Sequence, residues 1–240
     1  IVKLGGAVLE DFGDLIFGEK LYLGFFSLVI SLFAVVGVIN SLNFSDGVDG
    51  LSASLSLVAF ISIAFFAFGV KETYAFEFAL IFIIALVVFL FFNLGLIIGQ
   101  GFKIFMGDAG STFLGLGISW ALVSFSQGDN LIFSPVTALW IFSVPLIDTI
   151  FVMSRRVANG KSPFEPDRKH LHHFFIQSGR TDRETLFIIV SFSIVMALIG
   201  VLMEINEVNE TFMFLFFLTI SFTYYFGLRH AWGLLNVSKE

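Results

Sequence analysis

Residues 74–98 read YAFEFALIFIIALVVFLFFNLGLII, a run in which Glu77 is the single charged side chain. A helix needs about 20 apolar residues to cross roughly 30 Å of hydrocarbon, so this run is long enough to span a bilayer. Residues 51–70, LSASLSLVAFISIAFFAFGV, form a second such run, and a short polar segment separates the two. Together they predict two consecutive helices that cross a membrane in opposite directions.

The rest of the chain continues this pattern. Of its 240 residues 57% are hydrophobic and 13% are charged, and the mean hydropathy is +0.95, which lies far outside the range of soluble domains. The alternation of a β-barrel strand is absent. We therefore predict one all-α domain over residues 1–240, a polytopic transmembrane helix bundle with about seven full spans. Their ranges are 21–41, 51–70, 74–98, 110–126, 134–153, 185–203 and 211–228.

The first residues differ from these spans. Residues 1–9 are apolar but too few to cross a bilayer, and acidic residues follow them directly. We expect them to be the end of an eighth span that begins before this chain.

The basic residues lie almost entirely on one side of the predicted bundle. Ten of the thirteen Lys and Arg fall in one set of alternating loops, and most of these in the basic loop 154–184. The positive-inside rule makes that side cytoplasmic and predicts a cytoplasmic C-terminus. This concentration in one loop does not form a nucleic-acid surface. Because the chain has no Cys, a metal would be bound by oxygen or imidazole ligands, which favours Mg²⁺.

The first polar cluster lies at residues 40–51, NSLNFSDGVDGL, where one predicted span reaches the cytoplasm and the next begins. Two carboxamides, Asn40 and Asn43, and two carboxylates, Asp46 and Asp49, stand within ten residues. A helix cap and a turn would explain one Asp and the glycines only. We interpret the cluster as part of a functional site.

The second cluster, KIFMGDAGST at residues 103–112, also lies at a cytoplasmic helix start and includes Lys103, Gly107, Asp108 and Ser111. The small residues after Asp108 leave backbone N–H groups open to an anion such as pyrophosphate. Mg²⁺ would join the carboxylate to the phosphate oxygens. A simple helix cap is the alternative, and this motif alone does not exclude it.

The third cluster is PFEPDRKHLHH at residues 163–173, in the basic loop. The spacing of His170, His172 and His173 does not match metal ligands on one face of a helix. Phosphate binding by Arg168 and by imidazolium groups is the better interpretation.

Asp148 lies inside a predicted span, where a charge costs about 2.5–3.5 kcal/mol. It either belongs to the site or pairs with Arg155 or Arg156.

The three motifs, in this order, resemble those of the polyprenyl-phosphate N-acetylhexosamine-1-phosphate transferases, glycosyltransferase family 4. The family pattern NxxNxxDGxDGL is matched at residues 40–51, MGDxGS at 106–111 and HxHH at 170–173. The stretch PFEPDRKHLHH is similar to the branch that uses UDP-N-acetylglucosamine.

The resemblance implies transfer of N-acetylglucosamine 1-phosphate from UDP-N-acetylglucosamine to undecaprenyl phosphate, with UMP as the other product. It implies a requirement for Mg²⁺, with Mn²⁺ as the alternative, and a metal ligand at Asp108. The catalytic residues it implies are Asp46, Asp49, Asp108, His170, His172 and His173. The substrate-binding residues it implies are Asn40, Asn43, Lys103, Gly107, Ser111 and Arg168.

The resemblance further implies a multi-pass protein of the bacterial cytoplasmic membrane with its active site facing the cytoplasm. The reaction would be the first membrane step of cell-surface polysaccharide synthesis, such as that of the O-antigen of lipopolysaccharide, and a homodimer is compatible with it. One departure is that the family's Asp-Asp pair on an earlier loop does not occur here. We therefore expect a chain truncated at its N-terminus, which would be inactive by itself.

Other functions are compatible with the same residues. A different UDP-N-acetylhexosamine is the alternative donor within the family. Carboxylates in membrane spans also mark ion paths, so a cation transporter that uses Asp46, Asp49, Asp108 and Asp148 is the alternative from another class. A membrane subunit without catalytic activity is a further alternative function.

Overall fold

The computed structural model describes residues 5–16, 18–96, 103–128, 131–163 and 169–237. These residues form nine α-helices and a short 3-10 turn at Gly24–Phe26, and they contain no β-strand, which confirms the all-α prediction. The helices are α1 Ser27–Ser45, α2 Leu51–Gly69, α3 Thr73–Asn93, α4 Gly107–Ser124, α5 Pro135–Ile141, α6 Ser143–Ala158, α7 Leu171–Gln177, α8 Asp182–Ile205 and α9 Glu210–Val237.

Five stretches are long and apolar enough to cross a membrane: Gly24–Ser45, Leu51–Gly69, Thr73–Asn93, Asp182–Ile205 and Glu210–Leu235. The multi-pass prediction is thereby confirmed. Helix α4 coincides with the predicted span 110–126 but is not among the five, because Gly, Ser, Thr and Asp108 occupy its first two turns. The expected number of seven full spans stays a prediction.

The span predicted at 134–153 is divided into two helices in the structure. Helices α5 and α6 meet at Phe142 and are bent by 83° relative to each other. Pro145, the third residue of α6, has no N–H to donate to the carbonyl of Ile141, and its ring would clash with that carbonyl in a continuous helix. The bend therefore turns α6 away from the direction of α5.

The prediction of a helix end at residues 1–9 is wrong for residues 5–9, which are irregular, while residues 1–4 lie outside the described ranges. Side chains of the bundle bind this backbone in place of a helical ladder. The Leu9 N–H donates to Ser31 Oγ at 2.8 Å, and Trp120 Nε1 donates to the Gly5 carbonyl at 3.0 Å. Gln127 binds the backbone of Glu10 and Asp11.

Helix α2 lies at the centre of the bundle. Its span is 72% buried, against 22% for the span of α3 beside it. Phe60 of α2 is fully buried and stacks on Phe82 of α3, with ring centroids 4.3 Å apart. The opposite face of α3 exposes Ile81, Ile84 and other large apolar side chains, as expected for a surface in contact with lipid. Because α2 is held on several sides, the position of its first turn is fixed.

Helices α1 and α4 cross at close range. A Cβ atom on Gly115 of α4 would lie 2.6 Å from the Ile39 Cα of α1, so glycine alone permits this approach. Small residues allow membrane helices to pack closely in this way. The contact aligns the end of α1 with the start of α4.

We expect Gly115→Ala to destabilise the protein by about 1–3 kcal/mol, because the added methyl group would force α1 and α4 apart. Thermal unfolding of the purified protein in detergent would measure the effect. Gly37→Ala is the matched control, since a Cβ on Gly37 meets no atom within 4 Å. Equal unfolding temperatures for the two variants would contradict the prediction.

Candidate active site

The candidate site lies at the end of the bundle where α1 finishes and where α2 and α4 begin. Asp46 is the C-cap of α1 and Gly50 the N-cap of α2. Gly50 has φ +78°, a left-handed conformation that glycine adopts without strain. This tight reversal brings the whole first motif to the surface between the two helices.

The first and second motifs are in direct contact. Asn43 Nδ2 donates to Asp108 Oδ1 at 3.2 Å and to Ser111 Oγ at 3.1 Å. Ser111 is fully buried, whereas Asp108 in the first turn of α4 is exposed. Gly107, with φ +64°, begins this helix. Asn40 lies one turn before Asn43 on α1 and is half-buried.

Asp46 faces the same region in an unfavourable environment for its charge. Its pKa is raised above the usual value, chiefly by burial and further by the negative charges of Asp108 and Asp49. Ser52 opposes this shift by donating a hydrogen bond to Asp46 Oδ1 at 2.6 Å. The three carboxylates are thus close enough to repel one another, and a cation among them would relieve the repulsion.

Asp49 has a cationic partner from the second motif. Lys103 Nζ lies 2.6 Å from Asp49 Oδ2, and both side chains are partly exposed. Asn93, at the end of α3, supports this arrangement because its Nδ2 donates to the carbonyl of Ile104 at 2.8 Å. The sequence-based interpretation missed Asn93, although a carboxamide at the end of an apolar span is a recognisable signal.

The third motif packs against the first. A Cβ atom on Gly47 would lie 2.5 Å from His172 Nε2, so the imidazole occupies the space that this glycine leaves. The ring of His170 lies 5.0 Å from that of Phe44, and the ring of His173 lies 4.0 Å from that of His172. The fold therefore brings the three sequence motifs together, while Arg168 lies outside the described residues.

Asp148 has partners other than the arginines considered from sequence. His170 Nδ1 lies 2.8 Å from its Oδ2, and the Leu171 N–H and the Tyr224 hydroxyl donate to its Oδ1 at 3.0 and 2.9 Å. Arg156 donates to the carbonyl of Pro163 at 2.6 Å. Tyr224 comes from α9, and no sequence motif points to it.

His172 is a neutral group at ordinary pH. Burial lowers its pKa from 6.5 to about 4, with a further decrease from His173 and an opposing effect of Asp148. The expectation of an imidazolium is therefore wrong for His172, because its position against Gly47 removes it from water. A neutral imidazole still donates or accepts a hydrogen bond.

The arrangement suits the binding of a metal-associated phosphate. Two long helices, α2 and α4, direct their N-terminal N–H groups and positive dipole ends toward the carboxylates. No group of three acidic or histidine side chains with metal-binding geometry occurs in the described part of the chain. A cation here would therefore need oxygen ligands in addition to these side chains.

These features define a polytopic α-helical membrane protein with acidic and imidazole groups at one end of its helices. The chain belongs to glycosyl transferase family 4, whose model matches residues 1–126. The resemblance inferred from the three motifs is thereby confirmed.

Relatives extend the similarity over nearly the whole chain. A protein of Escherichia coli (strain K12) is 39% identical over 244 residues, which cover 98% of this chain. One from Haemophilus influenzae is 41% identical over 236 residues and 98% of the chain, and one from Yersinia pestis is 36% identical over 243 residues and 100% of the chain. All three are named undecaprenyl-phosphate alpha-N-acetylglucosaminyl 1-phosphate transferase. This chain spans 66% of the length of each relative.

The lowered pKa of His172 makes stability depend on pH. Between pH 6.5 and about 4 the unfolded chain binds a proton that folded His172 does not, so stability falls as the pH drops through this window. Unfolding temperatures measured between pH 7 and 5 should fall less in His172→Gln than in the wild type. His230→Gln, at an exposed position of α9, should behave as the wild type does. Equal pH dependence in all three proteins would contradict this prediction.

Proposed function

We propose that the protein transfers N-acetylglucosamine 1-phosphate from UDP-N-acetylglucosamine to undecaprenyl phosphate and releases UMP. The observation that carries this proposal is the bonding of Asn43 to Asp108 and Ser111, which joins the first two motifs into one site. The names of the relatives support the choice of donor and acceptor. A different UDP-N-acetylhexosamine is the alternative donor.

The proposed reaction makes modest chemical demands on the protein. An oxygen of the acceptor phosphate forms a bond to the phosphorus that carries the sugar. The bond from that phosphorus to the bridging oxygen of the pyrophosphate breaks, and UMP leaves with the bridging oxygen. Such a transfer requires aligned phosphates and stabilised negative charge. The first turns of α2 and α4 offer N–H groups for the pyrophosphate, and Asn43, Asp46 and Asp49 line the side where the nucleotide-sugar would bind.

Mg²⁺ fits the donor set as cofactor, and Mn²⁺ is the alternative. Carboxylate oxygens are the ligands that Mg²⁺ prefers, and the raised pKa of Asp46 reflects negative charge that a cation would balance. Asp108 is exposed at the start of α4, where it would be accessible to a substrate, and is the proposed ligand. Bound Mg²⁺ would withdraw charge from the phosphate oxygens.

The histidines, which pack against the first motif, would act on the phosphates. His172 does so as a neutral imidazole, since its pKa is about 4. His173 lies beside it and is more exposed. Arg168 is the proposed cationic partner of the pyrophosphate.

The proposed location is the bacterial cytoplasmic membrane, with the site facing the cytoplasm. The positive-inside rule supports this orientation, and the C-terminus is proposed to lie on the same side as the site. An interfacial site suits an acceptor whose phosphate is in water and whose tail is in lipid. The product would enter cell-surface polysaccharide synthesis, with the O-antigen of lipopolysaccharide as one destination, and the active unit is proposed to be a homodimer.

The cation-transporter hypothesis loses support from the geometry. Asp46, Asp49 and Asp108 lie at helix ends on one side, whereas a transport path needs groups near the middle of the membrane. Asp148 is engaged with His170, Leu171 and Tyr224.

The activity can be tested in membranes of cells that express the protein. UDP-N-acetylglucosamine, undecaprenyl phosphate and MgCl₂ should yield UMP and the lipid-linked diphosphosugar. Asp108→Asn should lower the rate at least about 100-fold, because it removes a charged ligand from the reacting phosphates. Asp182→Asn, the same change at an exposed position of α8, should have little effect. Absence of UMP in the wild type, or equal rates in both variants, would refute the proposal.

The metal requirement has its own test. EDTA should abolish UMP release, and MgCl₂ or MnCl₂ should restore it. Asp46→Asn should raise the Mg²⁺ concentration needed for half-maximal activity, since one carboxylate near Asp108 is lost. Full activity in EDTA, or an unchanged Mg²⁺ dependence in Asp46→Asn, would exclude this role of the carboxylates.

A further inference from the structure

Asp148 is buried within the bundle and binds three groups at once. It is 7% exposed, and the adjoining His170 is 4% exposed. Its Oδ2 contacts His170 Nδ1 at 2.8 Å, while its Oδ1 accepts hydrogen bonds from the Leu171 N–H and the Tyr224 hydroxyl. These contacts connect α6 and α9 to the first residue of the HxHH motif and its neighbour.

The contacts select one tautomer of His170. Oδ1 of Asp148 accepts from two donors, and with Oδ2 likewise an acceptor the 2.8 Å contact assigns the proton to Nδ1 of His170. In the neutral ring Nε2 then carries a lone pair and accepts a hydrogen bond. The hydroxyl of Tyr224 and the Leu171 N–H fix the rotation of the carboxylate, and therefore the orientation of the ring.

The second nitrogen of His170 has no protein partner in the described part of the chain. Nε2 is buried without a hydrogen bond, and such atoms are rare in native structures unless a ligand or water satisfies them. The ring that carries it lies 5.0 Å from the ring of Phe44, which follows Asn43, and 6.1 Å from the parallel ring of His172. The lone pair therefore lies where the first and third motifs meet.

We propose that Asp148 and Tyr224 are positioning residues, which hold His170 with its Nε2 lone pair ready to accept a hydrogen bond from a hydroxyl group of the bound phosphate substrate. The role in substrate binding rests on the proposed transferase function. The assignment of the tautomer rests on the contacts of Asp148, with its carboxylate as the acceptor.

Asp148→Asn tests the proposal with almost no change of shape. The amide oxygen can still accept from Leu171 and Tyr224 in place of Oδ1, while the amide nitrogen would donate to His170 Nδ1. This inverts the tautomer and places a proton on Nε2. We expect kcat for UMP release to fall about 10- to 100-fold, the size of a lost hydrogen-bond acceptor opposite a substrate hydroxyl, with a smaller rise of the KM for UDP-N-acetylglucosamine.

Tyr224→Phe tests the second positioning residue. It keeps the tautomer but frees the carboxylate to rotate, so we expect kcat to fall by about 3- to 10-fold. Tyr225→Phe is the matched control, because Tyr225 is the next residue of α9 and packs its ring against Phe151. This control should retain the rate of the wild type.

¹⁵N NMR of protein with labelled histidine reads the tautomer without any need for activity. The signal of His170, assigned by its loss in His170→Gln, should show a protonated Nδ1 in the wild type and a protonated Nε2 in Asp148→Asn. The wild type and Asp148→Asn could show the two expected tautomers while the wild type releases no UMP. That result would support the positioning of His170 and would refute only the transferase function. An unchanged tautomer in Asp148→Asn, or a kcat equal to that of the wild type, would overturn the proposal.

Discussion

The cost of placing charge in hydrocarbon is the constraint on which this structure depends. An ionised side chain at the centre of a bilayer costs about 2.5–3.5 kcal/mol, so the spans remain apolar and the reactive groups collect where helices end. Asp46, Asp49 and Asp108 all lie at such ends, at the turn between α1 and α2 and at the start of α4. Helix N-termini supply positive potential at the same place, so the distribution of apolar residues also determines where an anion can bind.

The first motif is in contact with both of the other motifs. Asn43 bonds to the second motif through Asp108 and Ser111, and Gly47 leaves the space for His172 of the third. Glycine at position 47 leaves space for the neighbouring imidazole. Glycine at position 50 instead permits the left-handed backbone conformation, with φ +78°. The motif thus combines polar groups for chemistry with small residues that let those groups approach.

The bend between α5 and α6 explains how a charged residue fits inside this membrane protein. A straight helix over 134–153 would place Asp148 along a span, where its charge has few partners. The 83° bend at Phe142 redirects α6, and Asp148 meets His170, Leu171 and Tyr224. Pro145, near the bend, therefore affects the position of the His170 imidazole, because it helps to set the direction of α6.

The sequence by itself determined the helical membrane architecture, the approximate positions of the long helices and the three polar motifs. Spans follow from long apolar runs, and the motifs follow from polar residues that such runs cannot hold. The sequence did not reveal the bend at Phe142, the irregular backbone of residues 5–9 or the neutral state of His172, because each depends on neighbours distant in the chain. Asn93, Asp148 and Tyr224 acquire their roles only where α3, α6 and α9 meet the motifs. The tertiary structure alone decided these contacts, since a hydrogen bond depends on distance in space and not on spacing along the chain.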